Sequence, residues 1–162
     1  MRATLKAGFA RLDFDGTTCV LRYTTGWKGL PVTGAVGRRE LPVTALAGVE
    51  LEPARSFRAA KLRLLPRQGA DPLMAAAGDE LRDSDHPYVL NGINDGDLAA
   101  RYAGDIAAAI EATGLAGVPA GGFLLPEPAR PPLEAKGRHG RLGFDGDTIT
   151  FSWGKLAPDE LR

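Results

Sequence analysis

The chain has 162 residues, 44% hydrophobic and 25% charged, close to the globular average, which excludes general disorder. Its length suits one domain with an appendage and is short for two ordinary domains. Twenty basic residues balance twenty acidic ones, which argues against a dedicated nucleic-acid binder, and a single cysteine excludes an internal disulfide framework. Residues 1–9 lack the apolar core of a signal peptide, and no window approaches the ~20 apolar residues of a membrane span, so the cytoplasm is the expected compartment.

One short stretch occurs twice. Residues 11–23 read Arg-Leu-Asp-Phe-Asp-Gly-Thr-Thr-Cys-Val-Leu-Arg-Tyr, and residues 141–153 read Arg-Leu-Gly-Phe-Asp-Gly-Asp-Thr-Ile-Thr-Phe-Ser-Trp. At an offset of 130, Arg11, Leu12, Phe14, Asp15, Gly16 and Thr18 recur as Arg141, Leu142, Phe144, Asp145, Gly146 and Thr148. Asp-Gly between alternating apolar runs predicts a β-hairpin with a type I′ turn, which needs positive φ at both central residues. With Asp15 and Gly16 at its centre, Phe14 faces Thr17, Leu12 faces Cys19, Ala10 faces Leu21 and Gly8 faces Tyr23. One face then collects Leu12, Cys19, Leu21 and Tyr23. Its counterpart collects Leu142, Ile149, Phe151 and Trp153, a set too apolar for water, which predicts burial within the chain or between chains.

After the first hairpin, residues 24–37 form a glycine-rich loop carrying Trp27 and Lys28. Residues 38–42 read as a short strand stopped by Pro42, residues 43–48 as a tight crossing, and residues 49–53 as a strand with Val49 and Leu51 inward. In the strand at 61–65, Leu62 and Leu64 face inward and the basic residues outward. Asp71 as N-cap and Pro72 as first helical residue predict a short helix over 73–77. Residues 78–86 are polar and acidic, and 88–90 supply a last strand. Asp97 then caps a long helix over 98–113, with Leu98, Tyr102, Ile106 and Ile110 on one face and Gly114 as its stop. Residues 115–137 hold five prolines and read as a linker whose Phe-Leu-Leu at 123–125 docks on the domain. The second hairpin follows, then a polar tail.

Leu-Asp-Phe-Asp-Gly at 12–16, Gly-Arg-Arg-Glu-Leu-Pro at 37–42, Leu-Ala-Gly-Val at 46–49, the basic-apolar strand 61–65, Gly-Ala-Asp-Pro-Leu at 69–73 and the closing helix together resemble the DUF4429 family, an actinobacterial domain of unknown function. The resemblance covers about residues 8–114, and residues 137–153 resemble the start of a second, truncated copy. It implies a mainly β (α+β) fold, a small antiparallel pleckstrin-homology-like β-barrel closed by one C-terminal α-helix. An extra C-terminal β-hairpin is added here. The expected organisation is a barrel domain at 1–114, a linker at 115–137, and a partial repeat at 138–162 that packs on the barrel or on a second subunit. Some relatives carry a tellurite-resistance label, which adds a metal-related stress role to the readings.

Catalytic patterns are sparse. A nucleophilic triad needs a histidine beside a serine or cysteine, and the two histidines, His86 and His139, read as solvated loop residues, while Cys19 faces inward. Neither Cys-x-x-Cys nor His-Glu-x-x-His is present, so no zinc site is expected, and residues 94–97 lack the ligand spacing of a calcium loop. No catalytic residue, cofactor or metal is therefore assigned. Between 38 and 67, seven basic residues oppose Glu40, Glu50 and Glu52, whereas between 71 and 111 nine acids oppose Arg82 and Arg101. The leading reading is a non-catalytic cytoplasmic interaction module that binds a protein partner or self-associates, with Ile149, Phe151 and Trp153 as the interface. Its alternative is an anionic-ligand or lipid-surface binder using Arg38, Arg39, Lys61 and Arg63.

Overall fold

Residues two apart on a pleated strand reach the same face, so the alternating stretches of this chain become strands with one buried side. The computed structural model describes residues 4–23, 38–77, 82–83, 86–122, 124, 130–136 and 140–153. The readings placed on Trp27, Lys28, Phe123, Leu125, His139 and the tail after residue 153 lie outside the described residues. In chain order the first strands are β1 (Leu5–Ala7), β2 (Ala10–Phe14), β3 (Thr18–Tyr23) and β4 (Arg38–Pro42). A 3-10 turn (Val43–Ala45) leads into β5 (Leu46–Glu52) and β6 (Ala60–Pro66), followed by α1 (Pro72–Ala77), β7 (Val89–Ile93) and α2 (Gly96–Thr113). The C-terminal strands are β8 (Leu133–Lys136), β9 (Gly140–Phe144) and β10 (Ile149–Trp153).

These strands make three antiparallel sheets, ordered β1-β2-β3-β4, β5-β6-β7 and β10-β9-β8. The first two share one core. Leu12, Leu21 and Leu41 from the first sheet join Leu46, Leu62, Leu64 and Leu90 from the second in a single buried cluster. Helix α2 adds Ala99, Tyr102, Ile106 and Ile110 from one face and packs mainly across β5 and the 3-10 turn. Each leucine so enclosed contributes roughly 1.5–3 kcal/mol of hydrophobic stabilisation.

Among the described residues, strand pairing does not close these sheets into a barrel. They remain separate, and a backbone bond from Gly8 N to Asn91 O at 2.9 Å joins the β1 edge to the β7 edge. The ladder stops there because β1 is only three residues long and Gly92 has a φ of +75°, outside extended geometry. A Cβ on Gly92 would also stand 3.4 Å from Gly8 N, so the seam needs a glycine.

Both repeated hairpins form, with a turn one residue later than their Asp-Gly motif predicts. Phe14 pairs with Cys19, Leu12 with Leu21 and Ala10 with Tyr23, so the turn centres on Gly16 and Thr17. Gly16 has a φ of +107° and Thr17 does not have positive φ, the pattern of a turn with glycine in the first central position, as in type II′. Asp15 lies before the turn, where its Oδ1 accepts from Thr17 N and Thr18 N, both at 2.8 Å. Those bonds hold its carboxyl below the usual range. Moving the turn by one residue slides the pairing by two, which preserves the faces, so Leu12, Cys19 and Leu21 are inward as expected.

The second copy is a three-stranded sheet rather than a hairpin. Its added strand, β8, lies in the stretch expected to be linker. Ala135 pairs with Leu142 and Lys136 with Arg141, as Leu5 pairs with Leu12 and Lys6 with Arg11, each shifted by 130. Phe144 pairs with Ile149 and Gly140 with Trp153, the counterparts of Phe14 with Cys19 and Ala10 with Tyr23. The repeat is therefore a repeat of register over three strands, one strand longer than the sequence identity reveals.

Two further boundaries differ from expectation. The N-cap of α2 is Asp95, which accepts from Leu98 N at 2.9 Å; Asp97 sits in the first turn, where its charge suits the helix dipole. The other departure concerns the start of the expected linker, which is held to the domain. Arg67, 8% exposed, donates to Val118 O at 2.6 Å, to Pro119 O at 2.7 Å and to Thr44 O. Ala120 N donates to Gln68 O at 2.8 Å and Leu124 N to Ala70 O at 2.7 Å, so Leu124 does dock.

Candidate functional site

On β4, Arg39 precedes the fully buried Leu41 by two residues, so the pleat turns this cation toward the core. Its Nη1 donates to Asp71 Oδ2 at 3.2 Å and to the Tyr88 hydroxyl at 2.7 Å, and its guanidinium lies 5.1 Å from the Tyr88 ring centroid. The Tyr88 hydroxyl donates in turn to Asp71 Oδ2. The other carboxylate oxygen, Oδ1, accepts from Met74 N at 3.2 Å and so caps α1. One carboxylate thus holds a cation, a phenol and a helix end, with its side chain 1% exposed against 12% for Arg39.

Two neighbouring groups complete this polar cluster. Tyr23 donates its hydroxyl to Pro87 O, and burial pushes that phenol up to about 12 against the opposing pull of the Arg39 charge. His86 accepts from Tyr88 N through Nδ1 at 3.2 Å and stands edge-on to the Tyr88 ring. Burial lowers the pKa of His86, and the Arg63 charge adds to that. A cleft of about 290 Å³ opens here, lined in part by Arg63, Arg67, Gln68, Asp71, His86 and Tyr88.

The four cations singled out from the sequence do not make one patch. Arg38 points outward and pairs with Glu40 at 2.5 Å, while Arg39 points inward to Asp71. Lys61 and Arg63 share Asp83 on the outer side of β6, at 2.8 and 3.2 Å, and Lys61 also reaches Glu52 at 2.5 Å. Each of the four is paired with a carboxylate, Asp83 serving two of them. Only the Nε atoms of Arg39 and Arg63 are buried without a hydrogen bond among the described residues.

Chemically, this arrangement is a clamp. Burial raises the Tyr88 phenol far above its ordinary value and pushes the Cys19 thiol up to about 12, so neither supplies an anionic nucleophile near neutral pH. His86 is oriented by a backbone amide rather than by a serine or cysteine. Among the described residues no group of three or more His, Cys, Asp or Glu could hold a metal ion, and no helix is long and apolar enough to cross a membrane.

Two surface features stand apart. At the tip of the β5–β6 hairpin, Arg55 and Arg58 exchange backbone bonds at 2.9 and 2.8 Å, and Phe57 between them is fully exposed. On the third sheet, Leu142, Ile149, Phe151 and Trp153 are 44, 54, 53 and 69% exposed, and Phe151 and Trp153 form an edge-to-face pair at 4.7 Å. In this single chain the predicted interface residues therefore face solvent.

A family model described as a domain of unknown function, DUF4429, matches residues 12–111. The chain belongs to that family. No curated protein and no solved structure matches the chain at a significant level. The match covers Arg39, Asp71 and Tyr88, so the clamp lies inside the DUF4429 domain, whereas β8, β9 and β10 lie beyond it.

Changing Asp71→Asn leaves Arg39 buried without its counter-charge and should lower unfolding free energy by about 3 kcal/mol. Combining it with Arg39→Met should cost less than the sum of the single changes, a coupling read directly from chemical denaturation. The clamp also predicts a pH effect. His86 titrates below its ordinary 6.5 in the fold, so on acidification the unfolded chain takes its proton first and stability falls as pH drops below about 6.5. The groups acting on it are Arg63, Asp83, Asp71 and Arg39, and His86→Gln should flatten the Tm profile between pH 6.5 and 5. The depressed carboxyls of Asp15, Asp83 and Asp145 act in a separate window, at and below their ordinary 3.8.

Proposed function

We propose that this DUF4429 chain is a non-catalytic cytoplasmic interaction module of pleckstrin-homology-like architecture that presents the apolar face of its third sheet to a protein partner. The observation carrying this reading is the exposure of Leu142, Ile149, Phe151 and Trp153 side by side on β9 and β10. Contiguous exposed apolar residues of this kind mark interaction surfaces, whereas scattered ones do not. The clamp supports the non-catalytic part, since its carboxylate, phenol and guanidinium are committed to one another. The architecture rests on four strands, then three, then a helix lying across the second sheet.

A photoreactive phenylalanine analogue at position 151 should give a protein adduct in cell extract, and the same analogue at exposed Arg11 should not. No adduct from position 151 removes this reading. Turnover on an esterase or phosphatase panel that disappears with Tyr88→Phe removes its non-catalytic part.

One observation favours a second reading, an anionic lipid surface, and shifts it from the basic strands to the β5–β6 tip. There Phe57 projects between Arg55 and Arg58, an apolar wedge flanked by two cations. Each arginine contributes about 1 kcal/mol at an anionic bilayer. Vesicles rich in phosphatidylserine should then co-sediment the chain several-fold better than phosphatidylcholine vesicles, and Phe57→Ser should erase the difference. Equal sedimentation with both vesicle types discards the idea.

A further inference from the structure

We infer that the occupant of the third-sheet face is a second copy of this chain, packed sheet against sheet about a two-fold axis. The inference rests on the interaction reading above and names its partner. The internal repeat says what kind of surface this face was built to meet. Leu12, Cys19 and Leu21 on the first sheet are fully buried in a core shared with β5, β6, β7 and α2. Their counterparts at the 130 offset, Leu142, Ile149 and Phe151, carry the same pattern in the same register and are about half exposed. Among the described residues, the third sheet therefore reproduces the surface of one half of a two-sheet core without the opposing half.

A copy of itself supplies that half. Pleating places Leu133 and Ala135 of β8 on the same side as Leu142, Phe144, Ile149, Phe151 and Trp153, so among the described residues of these strands the face contains no charge. Glu134, Lys136, Arg141, Thr150 and Ser152 take the opposite side. An uncharged, apolar patch is self-complementary under two-fold symmetry, and charge depletion is typical of interface centres. The chain as a whole carries no formal net charge at pH 7, so two copies approach without net repulsion.

Geometry selects face-to-face packing. Two sheets joined edge to edge along β10 would keep both apolar faces on one side and leave them wet. Stacked about 10 Å apart, they interdigitate and cover each other. The aromatic pair leads: Phe151 and Trp153 each expose on the order of 100–150 Å². With Leu142, Ile149 and their flanks, two copies would bury roughly 1,000 Å² in total, the lower end for a specific interface. Association at micromolar rather than nanomolar concentration follows.

Light scattering on the eluting 162-residue chain tests this between about 1 and 200 µM. The mass should rise from 17.1 kDa toward twice that value across this range. Phe151→Ser with Trp153→Ser should hold it at the monomer mass, with an unchanged far-ultraviolet spectrum as proof of folding. In a Trp27→Phe background, Trp153 emission should shift to shorter wavelength with the same concentration dependence, which tests the contact without touching the face. A monomer at every concentration with emission typical of exposed indole overturns the inference, as does open-ended growth beyond the dimer. Photo-adducts from position 151 distinguish the two levels: an adduct only with another protein overturns the second copy and leaves the interaction module standing. An adduct with itself supports both.

Discussion

A buried ion pair bridged by a phenol holds the two main sheets together. Arg39 belongs to the first sheet, Tyr88 immediately precedes β7 of the second, and Asp71 caps the short helix between β6 and β7. Each alone would be costly to enclose, since an unpaired charge away from water loses several kcal/mol of solvation. Together they meet most of one another's needs, the Arg39 Nε excepted, and do so through directional bonds that fix the relative placement of the sheets. A hydrophobic core tolerates small slides between its layers; a triad of directional bonds does not. The shared leucine cluster supplies the bulk of the driving force, and this cluster supplies the alignment. It also explains why four cations that look like a surface in the sequence offer so little to an anion.

Much of that arrangement was legible in advance. The strand at 38–42, the inward Leu62 and Leu64, the Asp71 cap and the Gly114 stop follow from period and capping chemistry. Arg39 was legible too, because it alternates with Leu41, but grouping it by charge with Arg38 hid the alternation. The cap falls on Asp95 rather than Asp97 because two aspartates lie two positions apart at the helix start and only side-chain geometry separates them. The turn shifted for a related reason: an aspartate can occupy the centre of a hairpin turn or accept bonds from just outside it. Strands β1 and β8 are three and four residues long, too short for periodicity to speak. Tyr88 as a partner for Arg39 lies 49 positions away, and no local signal connects them.

The repeat is more informative as structure than as sequence. Sequence identity between the copies is concentrated at the turn and its flanks, with Lys6 and Lys136 outside them, while the shared register runs through three strands. Faces are conserved between the copies and covers are not. That difference separates what a meander can do alone from what it needs a second layer to do. It forms its own hydrogen bonds, but of its inner face only Phe144 is buried, while Leu142, Ile149, Phe151 and Trp153 stay exposed.

The grip of Arg67 and the Leu124 to Ala70 bond have a mechanical consequence. They fix where the chain leaves the domain, so the third sheet hangs from a defined point rather than from residue 114. Nine positions then separate Leu124 from Leu133, which at full extension span no more than roughly 30 Å. Chain length alone therefore bounds how far from the Leu124 anchor the third sheet can begin.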